Sequence, residues 1–102
     1  MGSKEDGGTE TLDRDEVKIP PMYRVILHND DFTTMEFVVW LLMDIFKHDA
    51  SSASKVMLSV HNNGSGVAGT YSHEIATLKL DKAMVAAEEN DYPLQLTMEP
   101  DS

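Results

Sequence analysis

The sequence predicts an α+β domain in which three helices pack against a three-stranded antiparallel sheet. Two patterns support this class. Apolar and polar residues alternate, as in strands, after residue 22 and again after residue 93, and between these points apolar residues recur three and four positions apart, as in helices. Breaks rich in Asn, Gly, Asp and Pro divide these stretches, so the predicted order is strand, helix, helix, strand, helix, strand.

The first strand and the first helix lie on either side of a polar junction. Residues 23–28 form a short run with Tyr, Val and Leu on one face, which predicts a strand. Residues from about 34 to 47 are apolar nearly all round, which predicts a helix buried in the centre of the core. Thr33 and Glu36 have the spacing of a capping box, so we expect the helix to begin there.

The second helix has a clear start, an apolar stripe and a clear end. Asp49 or Ser51 can cap its first turn. Its stripe consists of Ala53, Val56, Met57 and Val60. The dipeptide at 63–64, Asn-Gly, is predicted to end it.

The last three elements follow without a long connection. Residues 66–71 predict a second strand that two glycines weaken, and residues 72–90 predict a third helix that carries Ile75, Leu78 and an alanine-rich run. Asp-Tyr-Pro breaks the chain before a last strand over 94–98, in which apolar and polar residues alternate.

Composition excludes several classes of function. With 102 residues, the chain has room for one domain with one modest core, so a large catalytic cleft is not expected. A net charge of -10 would repel phosphate backbones and anionic lipid heads, and we therefore expect binding neither to nucleic acid nor to membranes. The absence of cysteine excludes disulfides and thiolate metal sites, and no apolar N-terminal segment suits secretion or membrane insertion.

Residues 1–18 differ in composition from the rest of the chain. They contain six acidic and three basic side chains and three glycines, with little that is apolar. Such a segment cannot offset its ordering entropy by burial, so we predict a flexible acidic tail at 1–18 and a folded domain over 19–102. The composition fits either a solvated terminus or a tether for a partner.

The most informative segment is Asn-Asp-Asp-Phe-Thr-Thr-Met-Glu-Phe at 29–37, the junction between the first strand and the first helix. Asn29, Asp30 and Asp31 offer several acceptor oxygens and few donors. A group recognised there should therefore be a donor or a cation, and the α-ammonium group of a peptide fits this description.

Three segments together resemble the ClpS family, the small adaptor that carries N-degron substrates to the ClpAP protease. They are the junction at 29–37, Lys-Val-Met-Leu-Ser-Val-His-Asn-Asn-Gly at 55–64 and Tyr-Pro-Leu-Gln-Leu-Thr-Met-Glu at 92–99. The resemblance extends over roughly 21–99. It implies a cytoplasmic adaptor that is not an enzyme, needs no cofactor and binds substrates that begin with Leu, Phe, Tyr or Trp.

The resemblance also implies a site. Asn29, Asp30 and His61 would hold the α-amino group of the substrate, and an apolar pocket would hold its first side chain. The positions that match this pocket are Met35, Val38, Met57, Val60 and Leu94, with Asp31 and Thr33 at its edge. Methionine adapts to varied apolar shapes, which suits a pocket that accepts both leucine and aromatic rings. Met35 corresponds to a gate that disfavours β-branched first residues.

Each of these residues also has a purely structural interpretation. The three polar residues at 29–31 could form only a turn and a helix cap. Met57, Val60 and Leu94 could be ordinary core residues, and His61 could interact with the dipole at the C-terminal end of its helix. It is their occurrence together that favours the binding site.

Partner contacts are implied on the third helix, and some positions depart from the family pattern. Glu74 and Lys79 match positions that contact the N-terminal domain of the ClpA unfoldase, although they could equally be solvated charges. Thr77 and Leu78 replace the more usual Glu-Thr, and Thr34 replaces a common proline before the gate. Such departures are consistent with a divergent second copy of the adaptor.

Two rival hypotheses compete with the degron adaptor. The first is a metal-dependent hydrolase built from acidic residues and histidines, namely His28, Asp30, Asp31, Glu36 and His61. Their spacing matches neither an EF-hand nor HExxH, and no nucleophile motif is present, so we expect neither a metal site nor catalysis. The second rival is a regulator of ClpAP whose binding of N-degrons is narrowed or absent.

Overall fold

The helices and strands occur in the predicted order, and the α+β class is confirmed. A computed structural model describes residues 19–101, so the predicted acidic tail at 1–18 lies outside the described residues. The elements are β1 (Met22–His28), α1 (Met35–Asp44), α2 (Ala50–Asn63), β2 (Ser65–Ser72), α3 (His73–Glu89) and β3 (Gln95–Pro100).

The sheet has β1 in the centre, with β2 and β3 antiparallel on either side. Leu27 of β1 lies opposite Leu96 of β3, and the register with β2 shifts at a β-bulge between Val25 and Ile26. His28, the last residue of β1, lies opposite Ser65, the first residue of β2. The polar junction that follows β1 is therefore held where α2 passes into β2.

The core joins the sheet to all three helices. Its largest fully buried side chains are Val25, Leu27, Leu41 and Leu42. On α3 the buried residues are alanines, namely Ala76, Ala83 and Ala87. Small side chains let two elements approach closely, so the face of α3 that carries these alanines packs on the sheet.

Apolar residues on two helices point away from this core. The prediction that α1 is buried all round is wrong, because Met35, Trp40 and Met43 are 45%, 47% and 40% exposed. On α3 both Ile75 and Leu78 are also exposed. The reason is geometric: a helix in a small two-layer domain meets its neighbours on one side, and nothing in residues 19–101 covers the other side of α1.

Both ends of α1 differ slightly from the prediction. Thr34, and not Thr33, is the N-cap, since its hydroxyl oxygen accepts a hydrogen bond from the Phe37 N–H at 3.1 Å. Glu36 is then in the second helical position, and the predicted capping box is absent. The helix ends at Asp44, with Ile45 as its C-cap, and Lys47, predicted to be helical, has a left-handed backbone with φ of 63°.

The ends of α2 agree with the prediction. Of the two proposed caps, Asp49 is the one used, and its carboxylate accepts from the Ser52 N–H at 2.8 Å. Gly64 ends the helix with φ of 92°, a conformation that side chains disfavour. Among the helices of residues 19–101, none has the length and apolar character needed to cross a membrane.

Candidate functional site

A cavity of about 390 Å³ opens between the junction, the first turns of α1 and the last turns of α2. Its size is in the range of sites for small ligands, roughly 300 to 1,000 Å³. The lining residues are Asn29, Asp30, Asp31, Phe32, Thr33, Thr34, Met35, Val38, Met57, Val60 and His61. Nine of the ten residues that the sequence suggested for amine and side-chain binding thus border one space, and Leu94 does not.

The carboxylate of Asp30 organises the junction. One of its oxygens, Oδ1, accepts from the N–H groups of Phe32 and Thr33 at 2.8 and 2.7 Å, and Oδ2 accepts from the Thr33 hydroxyl at 2.7 Å. Burial alone would raise the pKa of Asp30, but the hydrogen bonds from Thr33 and Phe32 outweigh it and hold this pKa below its usual value of 3.8. Asp30 is therefore ionised at neutral pH, and Oδ2 keeps capacity for a further donor.

The end of α2 brings His61 to the same place. The Asn29 N–H donates to the Gly64 carbonyl at 2.9 Å, which joins the end of β1 to the residue that caps α2. His61 lies in the last turn of α2, with its side chain exposed. Within residues 19–101, neither the His61 ring nor the Asn29 side-chain amide has a hydrogen-bond partner. An amide oxygen, a carboxylate and an imidazole thus border the cavity with acceptor capacity to spare.

The rest of the lining is largely apolar. Val38 and Val60 are nearly fully buried, and Met57 is half-buried against the core. Met35 is more exposed, at the first position of α1. The cavity therefore combines buried apolar walls, an adaptable methionine at its edge and a polar border, an arrangement suited to a ligand with one charged donor and one apolar group.

Leu94 is in a different environment. Its side chain is 2% exposed within the core, and its loop borders a separate depression with Tyr92 and Pro93. This loop still supports the cavity indirectly. The Tyr92 ring packs on Phe37 at 4.7 Å between centroids, and the Tyr92 hydroxyl lies 3.4 Å from the Thr34 hydroxyl. Thr34 thereby connects the cap of α1 to the loop before β3.

Two lining residues, Phe32 and Thr34, were not among those that the sequence suggested. Phe32 is a large exposed aromatic side chain inside the most informative motif. The sequence could have indicated Phe32 as a binding residue, because an aromatic residue among polar groups is typical of binding surfaces.

The two suggested partner-binding residues have different surroundings. Glu74 is exposed in the first turn of α3. Lys79 is half-buried, donates to the Ile45 carbonyl at 2.8 Å and lies 5.4 Å from the centre of the Tyr71 ring. Five positions along a helix correspond to a rotation of about 140°, so the two side chains leave α3 in different directions.

Of the five residues of the hydrolase hypothesis, Asp30, Asp31 and His61 border this cavity. His28 lies 2.7 Å from the Thr97 hydroxyl across the sheet, and neither His28 nor Glu36 lines the cavity. In the part of the chain from 19 to 101, no group of three or more acidic or histidine side chains is placed to hold a metal ion.

Comparison with known proteins places this geometry in a family. Residues 18–97 match the family described as ATP-dependent Clp protease adaptor protein ClpS. The chain is 47% identical over 93 residues to an ATP-dependent Clp protease adapter protein ClpS of Myxococcus xanthus, covering 91% of this chain and 87% of the relative. It is 46% identical over 96 residues to the protein of the same description from Desulfotalea psychrophila, covering 94% of each.

A solved structure supports the same assignment. Agrobacterium tumefaciens ClpS2 bound to L-phenylalaninamide is similar with a TM-score of 0.78 and 35% sequence identity, over 81% of this chain and 100% of that chain. The sequence matches and the structural match therefore agree along nearly the whole described domain. The chain belongs to the ClpS family of ATP-dependent Clp protease adaptors.

Proposed function

We propose that this protein is an N-degron adaptor. In this proposal it binds the free α-amino group and the large apolar first side chain of a substrate, Leu, Phe, Tyr or Trp, and delivers the substrate to the ClpA unfoldase of the ClpAP protease. The observation that carries the proposal is the cavity, in which the acceptors of Asn29, Asp30 and His61 border the same space as buried apolar side chains.

The polar border suits an ammonium group. An ammonium has three donors and one positive charge, and the three residues can each supply one acceptor. Asp30 contributes the charge, because its lowered pKa keeps it ionised. Its Oδ2 carries one hydrogen bond, from Thr33, so a second donor can approach this oxygen without breaking the junction.

The apolar walls suit the first side chain. Full burial of a Leu or Phe side chain is worth about 1.5–3 kcal/mol. The ligand of the ClpS2 structure has the same two features, since L-phenylalaninamide combines a free α-amino group with a benzyl side chain. Its amide in place of a carboxylate resembles the continuing chain of a peptide. These features support the same class of ligand for this protein.

Delivery is the second part of the proposal. Glu74 is exposed and available to contact the N-terminal domain of ClpA. The ammonium group of Lys79 already donates to the Ile45 carbonyl. We therefore propose that Lys79 contributes less to the contact with ClpA than Glu74 does. The acidic segment at 1–18 would engage the unfoldase during transfer. We assign the protein no catalytic role, and we propose that it acts in the cytoplasm.

Fluorescence anisotropy with matched peptides tests the binding step. A labelled peptide that begins with free Phe should bind, and the same peptide with an acetylated N-terminus should bind far more weakly, since acetylation removes the charge and two of the three donors. A third peptide, which begins with free Ser, tests whether a large apolar first side chain is required, and it should bind more weakly than the free Phe peptide. Equal affinity for the free and acetylated peptides would overturn the proposed amine site.

The remaining alternative is a regulator of ClpAP that binds N-degrons weakly or not at all. The departure at Thr34 is the observation in its favour, because this residue sets the first turn of α1 beside the cavity. The peptide titration separates the two functions. A regulator would change degradation of other ClpAP substrates without binding any of the free peptides.

A further inference from the structure

A second, shallower groove lies beside the cavity on the exposed side of α1. Its volume is about 500 Å³, and its lining consists of Met35, Glu36, Val39, Trp40, Met43 and Met57. Apart from Glu36 the lining is apolar, and Trp40 and Met43 are 47% and 40% exposed. Exposing such residues side by side has a cost in solubility, so a groove of this kind indicates a binding function.

The groove is continuous with the cavity. Met35 and Met57 line both spaces and so form the wall between them. Asn29, Asp30 and His61 line only the cavity. A peptide whose amino group is held by these three residues therefore has the groove on the far side of the methionine wall.

An extended peptide can present two of its side chains to these two spaces. Side chains in an extended chain alternate between two sides, so the first and third side chains point the same way, roughly 6.6 Å apart. If the first side chain enters the cavity, the third can cross the wall of Met35 and Met57 and enter the groove.

We propose that this groove is a subsite for an apolar third residue of the bound substrate. The inference rests on the proposed function, since it needs the amino group in the cavity. Methionine and tryptophan side chains can adapt to aliphatic and aromatic partners, so the subsite accepts a class of side chains and not a single residue.

The size of the groove favours a side chain over a whole protein surface. A stable protein interface engages roughly 20 to 30 residues on each side. Six residues line this groove, and two of them belong to the cavity wall. A second copy of the chain docked on this face is therefore the less favoured occupant, and it is one outcome of the test.

Peptides that differ only at position three provide the test. One peptide begins Phe-Gly-Leu and the other Phe-Gly-Ser, with the same soluble remainder and no tryptophan. The full chain should bind the Leu peptide about three- to tenfold more tightly. Trp40 is the only tryptophan of the chain, so the Leu peptide should also change its fluorescence more than the Ser peptide does.

Variants then locate the effect. Trp40→Ala and Met43→Ala should remove the preference for Leu at position three while leaving affinity for the Ser peptide unchanged. Val85→Ala is the matched control, because Val85 is 51% exposed on α3 and lines neither the groove nor the cavity. It should keep the full preference.

The outcomes separate the two proposals. If both peptides bind with the same affinity, the subsite is refuted and the proposed function stands. If neither binds, both are refuted. If sedimentation shows that the chain self-associates and Trp40→Ala makes it monomeric, the groove is an interface between copies and the peptide subsite is rejected.

Discussion

The backbone N–H of Asn29 donates to the carbonyl of Gly64 at 2.9 Å, and this bond joins the end of β1 to the end of α2. It brings together residues that are more than 30 positions apart in the chain, because Asn29 and Asp30 lie on one side of it and His61 on the other. The bond thus brings Asn29 and His61 to the same cavity, and Asp30, whose carboxylate is already bonded to Phe32 and Thr33, keeps acceptor capacity at Oδ2.

Gly64→Ala should weaken both stability and binding. Gly64 has φ of 92°, and a Cβ there would meet no atom within 4 Å, so the cost is conformational and not steric. We expect a loss of about 1–2 kcal/mol in the free energy of unfolding, measured with urea. Gly64→Asn is the control, since asparagine tolerates this backbone conformation better and should lose less. Equal losses for the two variants would contradict this explanation.

Asp30→Ala should cost about 1.5–3 kcal/mol of peptide-binding free energy, because it removes a charge-assisted acceptor. Anisotropy with the Phe peptide measures the change. Since Asp30 also holds the junction, Thr33→Val is the matched control: it removes the hydroxyl bond to Oδ2 and keeps the carboxylate. Binding by Asp30→Ala at the level of the unmodified protein would exclude this carboxylate from the amine site.

Stability should fall in acid through Asp30. Its pKa is lower in the folded protein than its usual value of 3.8, because hydrogen bonds from Thr33 and Phe32 outweigh the effect of burial. Its stabilising contribution is therefore complete above pH 3.8 and is lost as pH falls through the lowered pKa. Urea unfolding between pH 5 and about 2.5 should show this loss in the unmodified protein and a smaller one in Asp30→Asn. Identical pH profiles would contradict the assignment.

Met35→Ala should broaden the choice of first residue. Met35 lies at the edge of the cavity, where its bulk would crowd a branch at Cβ. Removing it should admit peptides that begin with Val or Ile and leave binding of Leu and Phe peptides largely intact. Met43→Ala is a matched control, because this methionine lies on the same helix and does not line the cavity. A peptide panel with Ser at position three measures the selectivity, and unchanged rejection of Val and Ile would remove Met35 as a gate.

Removal of residues 1–17 should separate binding from delivery. The acidic composition of this segment offers nothing to an apolar cavity, so anisotropy should give the same peptide affinity as the full chain. Degradation of an N-degron reporter by ClpAP should be lost. A chain with the same segment in scrambled order tests whether its order or only its composition matters. Delivery at the full rate by the truncated protein would leave the segment without a role in transfer.

Sequence reasoning was most accurate where structure depends on neighbouring residues. The cap at Asp49 and the left-handed end at Gly64 follow from local hydrogen bonds and local backbone preference. The predicted range of α3, 72–90, exceeds the observed His73–Glu89 by one residue at each end, where Ser72 and Asn90 are the caps. These interactions span three or four residues, so the sequence alone contains them.

Thr33 and Thr34 show where local rules become ambiguous. Either threonine could cap α1 by residue type. Asp30 decides between them, because it binds the Thr33 hydroxyl and leaves the Thr34 hydroxyl to accept from Phe37. This choice depends on the conformation of the whole junction, and a spacing rule for one helix turn does not include it.

The sequence by itself determined the order of the elements, the family and the residue types that can recognise an amine and an apolar side chain. Tertiary structure decided which of these residues share a space. Leu94 is buried in the core because its loop packs there, whereas Trp40 is exposed because no element covers that side of α1 in residues 19–101. Burial depends on contacts between segments that are distant along the chain, and apolar character alone does not reveal which partner, if any, will cover a side chain.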